Sequence, residues 1–291
     1  MKIYIESLKN NIKCALEFRK TFILSVISQF GVFFSYYFLL LALFQRFSNI
    51  RGFTIYEVLL CFGVIHFGFA FNETFFRGVD KFEDFISNGS LDRLLVRPQG
   101  VLFQVLCSRM DVVKVTRLFQ ALFFIVYSFI KLKLEFNYVN VVIVLMMMFA
   151  SVVIFFSLFL LMAAYCFVTI EGLEIKNLMT DGGKHLAQYP MGIFRKAFLI
   201  FFTFVIPYAS VNYYPLLYLV GKSNSFLYAI SPIFVILFLI LCYFAFNVGL
   251  KHMKVPDHKN DFAIMRSLFL KWNNWENKIM ICPQVYSECL I

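Results

Sequence analysis

Charged residues are scarce in this sequence. Only 15% of its 291 residues are charged, whereas 61% are hydrophobic. Soluble domains usually contain about 25% charged and about 45–50% apolar residues. The composition therefore excludes an ordinary soluble enzyme and predicts an all-α polytopic membrane protein.

Motifs for catalysis are also missing. A nucleotide-binding loop needs G-x-x-x-x-G-K-[ST], and Gly221-Lys222-Ser223 match only its end, because Leu216 stands where the first glycine is required. The seven cysteines include no C-x-x-C pair, and their odd number predicts no disulfide framework. The long apolar runs lack paired carboxylates, His-Asp pairs and buried acids. We therefore predict no catalytic, cofactor-binding or metal-binding residue, and neither an intramembrane enzyme nor a proton-driven carrier.

Long runs without charge are what the chain does contain. A hydrocarbon layer about 30 Å thick needs about 20 apolar residues of helix. Pro207 and Pro215 predict a kink and a bend back at the outer surface, because proline at membrane depth interrupts a helix. The runs predict six transmembrane helices, at about residues 21–45, 55–72, 113–131, 138–169, 197–213 and 226–250.

The basic residues predict an orientation. Six spans with a cytoplasmic N-terminus leave 22 of the 27 Lys and Arg residues inside, as the positive-inside rule requires. Both termini and residues 171–196 are then cytoplasmic, and the net charge of +10 needs no nucleic-acid partner. Residues 1–20 predict an amphipathic helix on the lipid headgroups. The tail, residues 251–291, has no assigned role.

The first cytoplasmic loop, residues 73–112, has a specific pattern. Phe82, Phe85 and Ile86 are spaced to form one apolar face of a helix. Gly89 is suited to end that helix in a left-handed conformation.

A second turn follows in the same loop. Asp92 is placed to cap it, and Pro98 to end it. Arg93 and Arg97 are four residues apart, so they can pair with acidic groups on a partner. The alternative is a surface helix with solvated charges. We favour docking, because a bare connector does not need so many turn residues.

His66 lies in the middle of the second predicted span. Ionisable residues within a membrane are functional candidates. A neutral histidine can also simply hydrogen-bond across a helix interface, and we favour this structural interpretation.

The stretch Arg77–Asp111 resembles the first cytoplasmic loop of type-2 ABC exporter permeases, in the bacterial subgroup with a Gly-x-Leu-Asp-x-x-Leu-x-Arg-Pro signature. A second block, between Gln188 and Gly221, is also similar to that subgroup. The resemblance covers about residues 1–252, and the tail departs from it after Gly249-Leu250-Lys251. The matching residues are Gly89, Leu91, Asp92, Leu95, Arg97 and Pro98 in the first block, and Tyr189, Pro190, Pro207, Asn212 and Pro215 in the second.

The resemblance implies a permease subunit of an ATP-driven exporter in the bacterial inner membrane. Separate ABC ATPase subunits would bind ATP and Mg, and the loop at residues 82–98 would dock in a groove of the ATPase. The pathway would lie against a second copy or a sister permease, with Tyr189, Pro190, Pro207, Asn212 and Pro215 as structural or gating candidates. Abundant Phe suggests an amphiphilic or lipid-like cargo, or a peptide. A non-transporting membrane scaffold and a secondary carrier are the alternatives.

Overall fold

A computed structural model describes residues 8–9, 11–14, 17, 19–47, 49–96, 99–133, 137–167, 169 and 173–252. Residues 253–291 of the predicted tail lie outside the described residues, as do parts of the N-terminal amphipathic segment. The described part is helical, and its only strand-like feature is a bridge between Ile50 and Phe53.

Among the described residues, five helices are long and apolar enough to cross a membrane. They correspond to five of the six predicted spans. With the short helices between them, the order is α1 Arg19–Arg46, α2 Ile55–Phe75, α3 Arg77–Asp80, α4 Phe82–Ser87, α5 Leu91–Leu95, α6 Val101–Ser108, α7 Val115–Lys131, preceded by a 3₁₀ turn at Val112–Lys114, and α8 Tyr138–Cys166.

The second half of the chain is more broken. It contains α9 Leu173–Asn177, a π-helical turn at Leu178–Gly182, α10 Gly183–Ala187, a 3₁₀ turn at Met191–Ile193, α11 Lys196–Phe204, α12 Tyr208–Val211, α13 Tyr213–Leu219, α14 Phe226–Ile230, a 3₁₀ turn at Ser231–Ile233 and α15 Phe234–His252.

Helix α2 is the centre of the bundle. Of its most apolar stretch, 78% is buried inside the chain, against 11% for α1. Gly68 lies so close to Ser151 of α8 that a larger side chain would collide with the backbone there. Asn72 Nδ2 donates to the carbonyl of Val152, also on α8, at 2.8 Å. Small residues and interhelical hydrogen bonds are what hold helices together in lipid.

The two ends of the bundle are identified by their connections. The loop end carries Arg77–Asp111, which leaves α2 and returns to α7; the amide of Asp111 donates to the carbonyl of Thr74 at 3.2 Å. The far end carries the turn between Ile50 and Phe53, where Arg51 has a φ of 48°.

The segment Leu173–Phe194, here called the polar segment, runs between these two ends. Near its start, Lys176 pairs with Glu83 of the loop at 3.2 Å. At its end, Arg51 Nη1 donates to the carbonyl of Phe194 at 2.9 Å. Its continuous helical part, residues 173–187, is about 22 Å long, and residues 188–194 continue from it to the far end.

The sequence predicted a cytoplasmic loop with short helical pieces at residues 171–196, and the short helical pieces are present. Its charged residues suggested exposure to water. In the structure Lys176 and Lys184 are buried, because carboxylates lie within reach of both ammonium groups.

The predicted fifth span, residues 197–213, is also different in the structure. Helices α11 and α12–α13 are bent by 83° at the break before Tyr208, where Pro207 has no amide hydrogen to donate. The pair starts beside Phe194, and beyond it Lys222 donates to the carbonyl of Gly52 at 2.8 Å. Both ends thus lie at the far end, and Lys196–Leu219 form a hairpin that enters the bundle and returns. The kink at Pro207 was expected from the sequence.

Candidate functional site: the loop end and the polar segment

The loop has one face turned towards the bundle. Phe82 is 1% exposed, and its ring packs 5.3 Å from Phe167 and 5.6 Å from Phe246. Phe85 and Leu91 are buried as well, while Ile86 is half-buried. The apolar face that the sequence predicted is present, but it packs on the chain's own helices and is not free for a partner.

The other face of the loop is exposed. Gly89 follows the end of α4 with a φ of 62°, and its amide donates to the carbonyl of Ile86 at 3.1 Å, which agrees with the predicted helix end. We call the exposed residues of this turn the tip; they are Ser87, Asn88, Gly89, Asp92, Arg93 and Val96.

Asp92 does not have its predicted role. Ser90 occupies the N-cap position of α5, and Asp92 lies inside the first turn, where its negative charge still favours the helix N-terminus. Leu95 is half-buried at the end of that helix. The predicted roles of Arg97 and Pro98 concern residues outside those that the structure describes.

Ion pairs attach the loop to its surroundings. Glu73, 7% exposed at its side chain, accepts from Arg117 at 3.0 Å and Arg77 at 3.2 Å, and it lies 3.5 Å from Lys114. Arg77 also pairs with Asp80 at 2.7 Å. The base of the loop is therefore a continuous network of opposite charges that are shielded from solvent.

Lys176 extends this network to the polar segment. Its Nζ lies 3.2 Å from Glu83 Oε1 and 3.4 Å from Asp80 Oδ1, and all three side chains are at most 10% exposed. The sequence analysis missed this site. The acidic residues of the loop were visible in the sequence, but their partner lies 93 residues beyond Glu83.

His66 has a partner on the polar segment. Its Nε2 lies 3.3 Å from Gln188 Oε1, and both residues are buried. The hydrogen-bonding interpretation of His66 agrees with this contact. The ring of His185 packs 5.2 Å from Tyr36 of α1, and the side chain of Asp181 is 51% exposed.

The predicted gating residues surround the end of the polar segment. Asn212 is buried in the hairpin, and its Nδ2 donates to the carbonyl of Ala187 at 2.9 Å and approaches that of Cys61 at 3.4 Å. Pro190 and Pro215 are buried, and Tyr189 is half-buried just before the 3₁₀ turn. Asn212 thus joins the hairpin to both the polar segment and α2.

The comparison with protein families decides what kind of protein this is. Residues 30–255 match the family described as ABC-2 family transporter protein. The chain belongs to the ABC-2 transporter family. No curated protein and no solved structure matches it.

An ABC-2 permease is a component of membrane transport, and the family implies an ABC ATPase as its partner. The apolar helices and the family together make this chain a multi-pass membrane protein. Within the described residues, no group of three or more His, Cys, Asp or Glu side chains is placed to hold a metal ion.

Proposed function

We propose that this chain is the permease subunit of an ATP-driven exporter and that its ATPase subunit docks on the tip. The observation that carries the proposal is the division of the loop into an anchored face and an exposed face. Phe82, Leu91 and Glu83 hold the loop to the bundle, whereas Asp92 and Arg93 extend from it. Because its other face is anchored to the bundle, the tip can transmit a movement of a docked ATPase to the bundle.

The polar segment completes a six-crossing arrangement in this proposal. The five long helices and Leu173–Phe194 cross the membrane, and the hairpin Lys196–Leu219 enters from the far end without crossing. The loop end and both termini then lie in the cytoplasm, which retains the orientation that the basic residues predicted. ATP and Mg would be bound by the ATPase, and the membrane would be the bacterial inner membrane.

We propose an amphiphilic cargo that moves along the polar segment, against a second copy or a sister permease. The polar segment offers polar contacts, because the side chain of Asp181 is half exposed and lies four residues before His185. Helix α1 offers apolar contacts, because most of its apolar surface is not buried. An exposed carboxylate is unfavourable in contact with hydrocarbon. We therefore propose that Asp181 faces a pathway that is filled with water or covered by protein. Such a pathway offers both apolar and polar contacts.

Purification of the tagged chain in mild detergent tests the proposal. We expect a P-loop ATPase to co-purify, and we expect Asp92→Arg with Arg93→Glu to abolish that association while leaving the chain folded, because both side chains are exposed. Arg46→Glu is the matched control, since it reverses an exposed charge at the far end.

An association that survives the tip variants would place the ATPase elsewhere. Recovery of no ATPase with the wild-type chain would favour the scaffold. In vesicles, export driven by an ion gradient in place of ATP would favour the secondary carrier.

A further inference from the structure

We propose that Lys176 is the positioning residue through which a movement of the loop reaches the polar segment. This inference rests on the proposed function, because it assumes an ATPase that moves the tip. It adds one residue as the route for that movement within the permease.

The geometry is that of one cation between two loop helices. Asp80 belongs to α3 and Glu83 to α4, whereas Lys176 belongs to α9. The ammonium group lies within 3.4 Å of an oxygen of each carboxylate. A single side chain therefore fixes two helices of the loop to the start of the polar segment.

Burial makes this connection resistant to separation. The side chains of Lys176, Asp80 and Glu83 are 7%, 9% and 10% exposed. Pulling buried partners apart leaves charges without compensation, which costs far more than separating an exposed pair. When the loop shifts, Lys176 therefore follows it. The ring contacts of Phe82 are non-directional, so they can slide with less loss.

The polar segment is built to continue the movement. A row of polar side chains at four-residue spacing starts at Lys176: Thr180 Oγ1 donates to the carbonyl of Lys176 at 2.8 Å, and Lys184 Nζ pairs with Asp181 at 2.7 Å. Gln188 then meets His66 in the centre of the bundle. The π-helical turn Leu178–Gly182 lies between, and such turns are common at functional sites.

The test uses the permease–ATPase complex in lipid nanodiscs and needs no knowledge of the cargo. Hydrogen–deuterium exchange of residues 178–191 is measured with and without ATP and vanadate. We expect a nucleotide-dependent change in the wild-type complex. In Lys176→Met/Glu83→Gln we expect that change to fall by at least about fivefold, the lower end of usual coupling factors, while the ATPase stays bound and active.

The double variant avoids a lone buried charge, because Asp80 keeps its pair with Arg77 at 2.7 Å. If it fails to fold, Lys176→Gln/Glu83→Gln keeps a neutral polar contact, and we expect an intermediate change in exchange. Lys176→Arg, which preserves the charge, should retain the wild-type response.

The matched control is Arg109→Met/Asp84→Asn, which removes an ion pair within the loop but leaves the link from Asp80 and Glu83 to Lys176. A wild-type response in Lys176→Met/Glu83→Gln, or an equal loss in the control, would overturn the role of Lys176. Absence of the ATPase from the wild-type complex would instead refute the proposed function, so the two failures are distinguishable.

Discussion

The two ends of the bundle are both closed by ion pairs, but the pairs differ in burial and in number. At the loop end, Glu73 is 7% exposed and has three cations around it. At the far end, Glu57 is 3% exposed and has one cation, Lys222, at 2.8 Å. Lys222 is 32% exposed, whereas the cations around Glu73 are 15%, 18% and 26% exposed. When a pair opens, the more exposed Lys222 can return to water more readily than the cations around Glu73.

This difference suggests that the two ends of the bundle have different roles. The network around Glu73 keeps the loop and the helix ends together as one unit, which suits a part that transmits movement. The contact of Lys222 with Gly52 and Glu57 holds the hairpin to the far-end turn with fewer bonds. We interpret the far end as the part that can open, and three substitutions test the comparison.

The largest effect is expected from Glu73→Gln. The substitution keeps the size of the side chain but leaves Arg77, Lys114 and Arg117 without their common carboxylate. Loss of one partner of a buried pair costs about 3–5 kcal/mol, and we expect about 3 kcal/mol here, because the cations are partly exposed. The free energy of unfolding, measured by titration with SDS in mixed micelles, checks this value.

Glu17→Gln is the control for Glu73→Gln, since Glu17 is exposed. We expect it to change the free energy of unfolding by less than about 0.5 kcal/mol, as is usual for surface positions. Equal effects of the two substitutions would show that the network at the loop end does not hold the structure together.

A smaller effect is expected from Lys222→Met at the far end. The carboxylate of Glu57 would keep the amide of Thr54, at 2.8 Å, as its partner, and the N-terminus of α2 also favours a negative charge. We expect a loss of about 2 kcal/mol, in the range for a hydrogen bond to a charged group. High salt should weaken the wild-type contact more than the network around Glu73, because exposed pairs are screened. A loss larger than that of Glu73→Gln would reverse the comparison.

The sequence predicted the apolar helices well and the polar segment poorly, for a physical reason. Local composition is enough to predict helices such as α2 and α8. The end of α4 is also predictable, because Gly89 readily adopts a positive φ. The burial of Lys176 depends on Asp80 and Glu83, which are distant in sequence. A charged residue is expected to be exposed unless its partner is known, so composition alone cannot distinguish a buried polar segment from a loop.

The inward direction of Phe82 was hidden for the same reason. The spacing of Phe82, Phe85 and Ile86 showed that one helical face is apolar, but not what covers it. Phe167 directly follows α8, and Phe246 lies in α15. Both are distant from Phe82 in sequence, and only the folded structure brings the three rings together at the loop end.

The smallest effect is expected from Gly89→Ala in the tip. A Cβ at this position meets no other atom, but the φ of 62° is unfavourable for any residue with a side chain. We expect a loss of about 1 kcal/mol, the usual cost of a left-handed conformation, and a weaker association with the ATPase. Gly100→Ala is the matched control, because Gly100 is also in open space but has a φ of −59°. Gly100 is the N-cap of α6, where glycine is preferred to alanine, so we expect a small loss in the free energy of unfolding but no change in the association with the ATPase. If both substitutions weakened the association equally, the space that glycine leaves would matter and not its conformation, and the tip would be a tightly packed interface instead of a rigid turn.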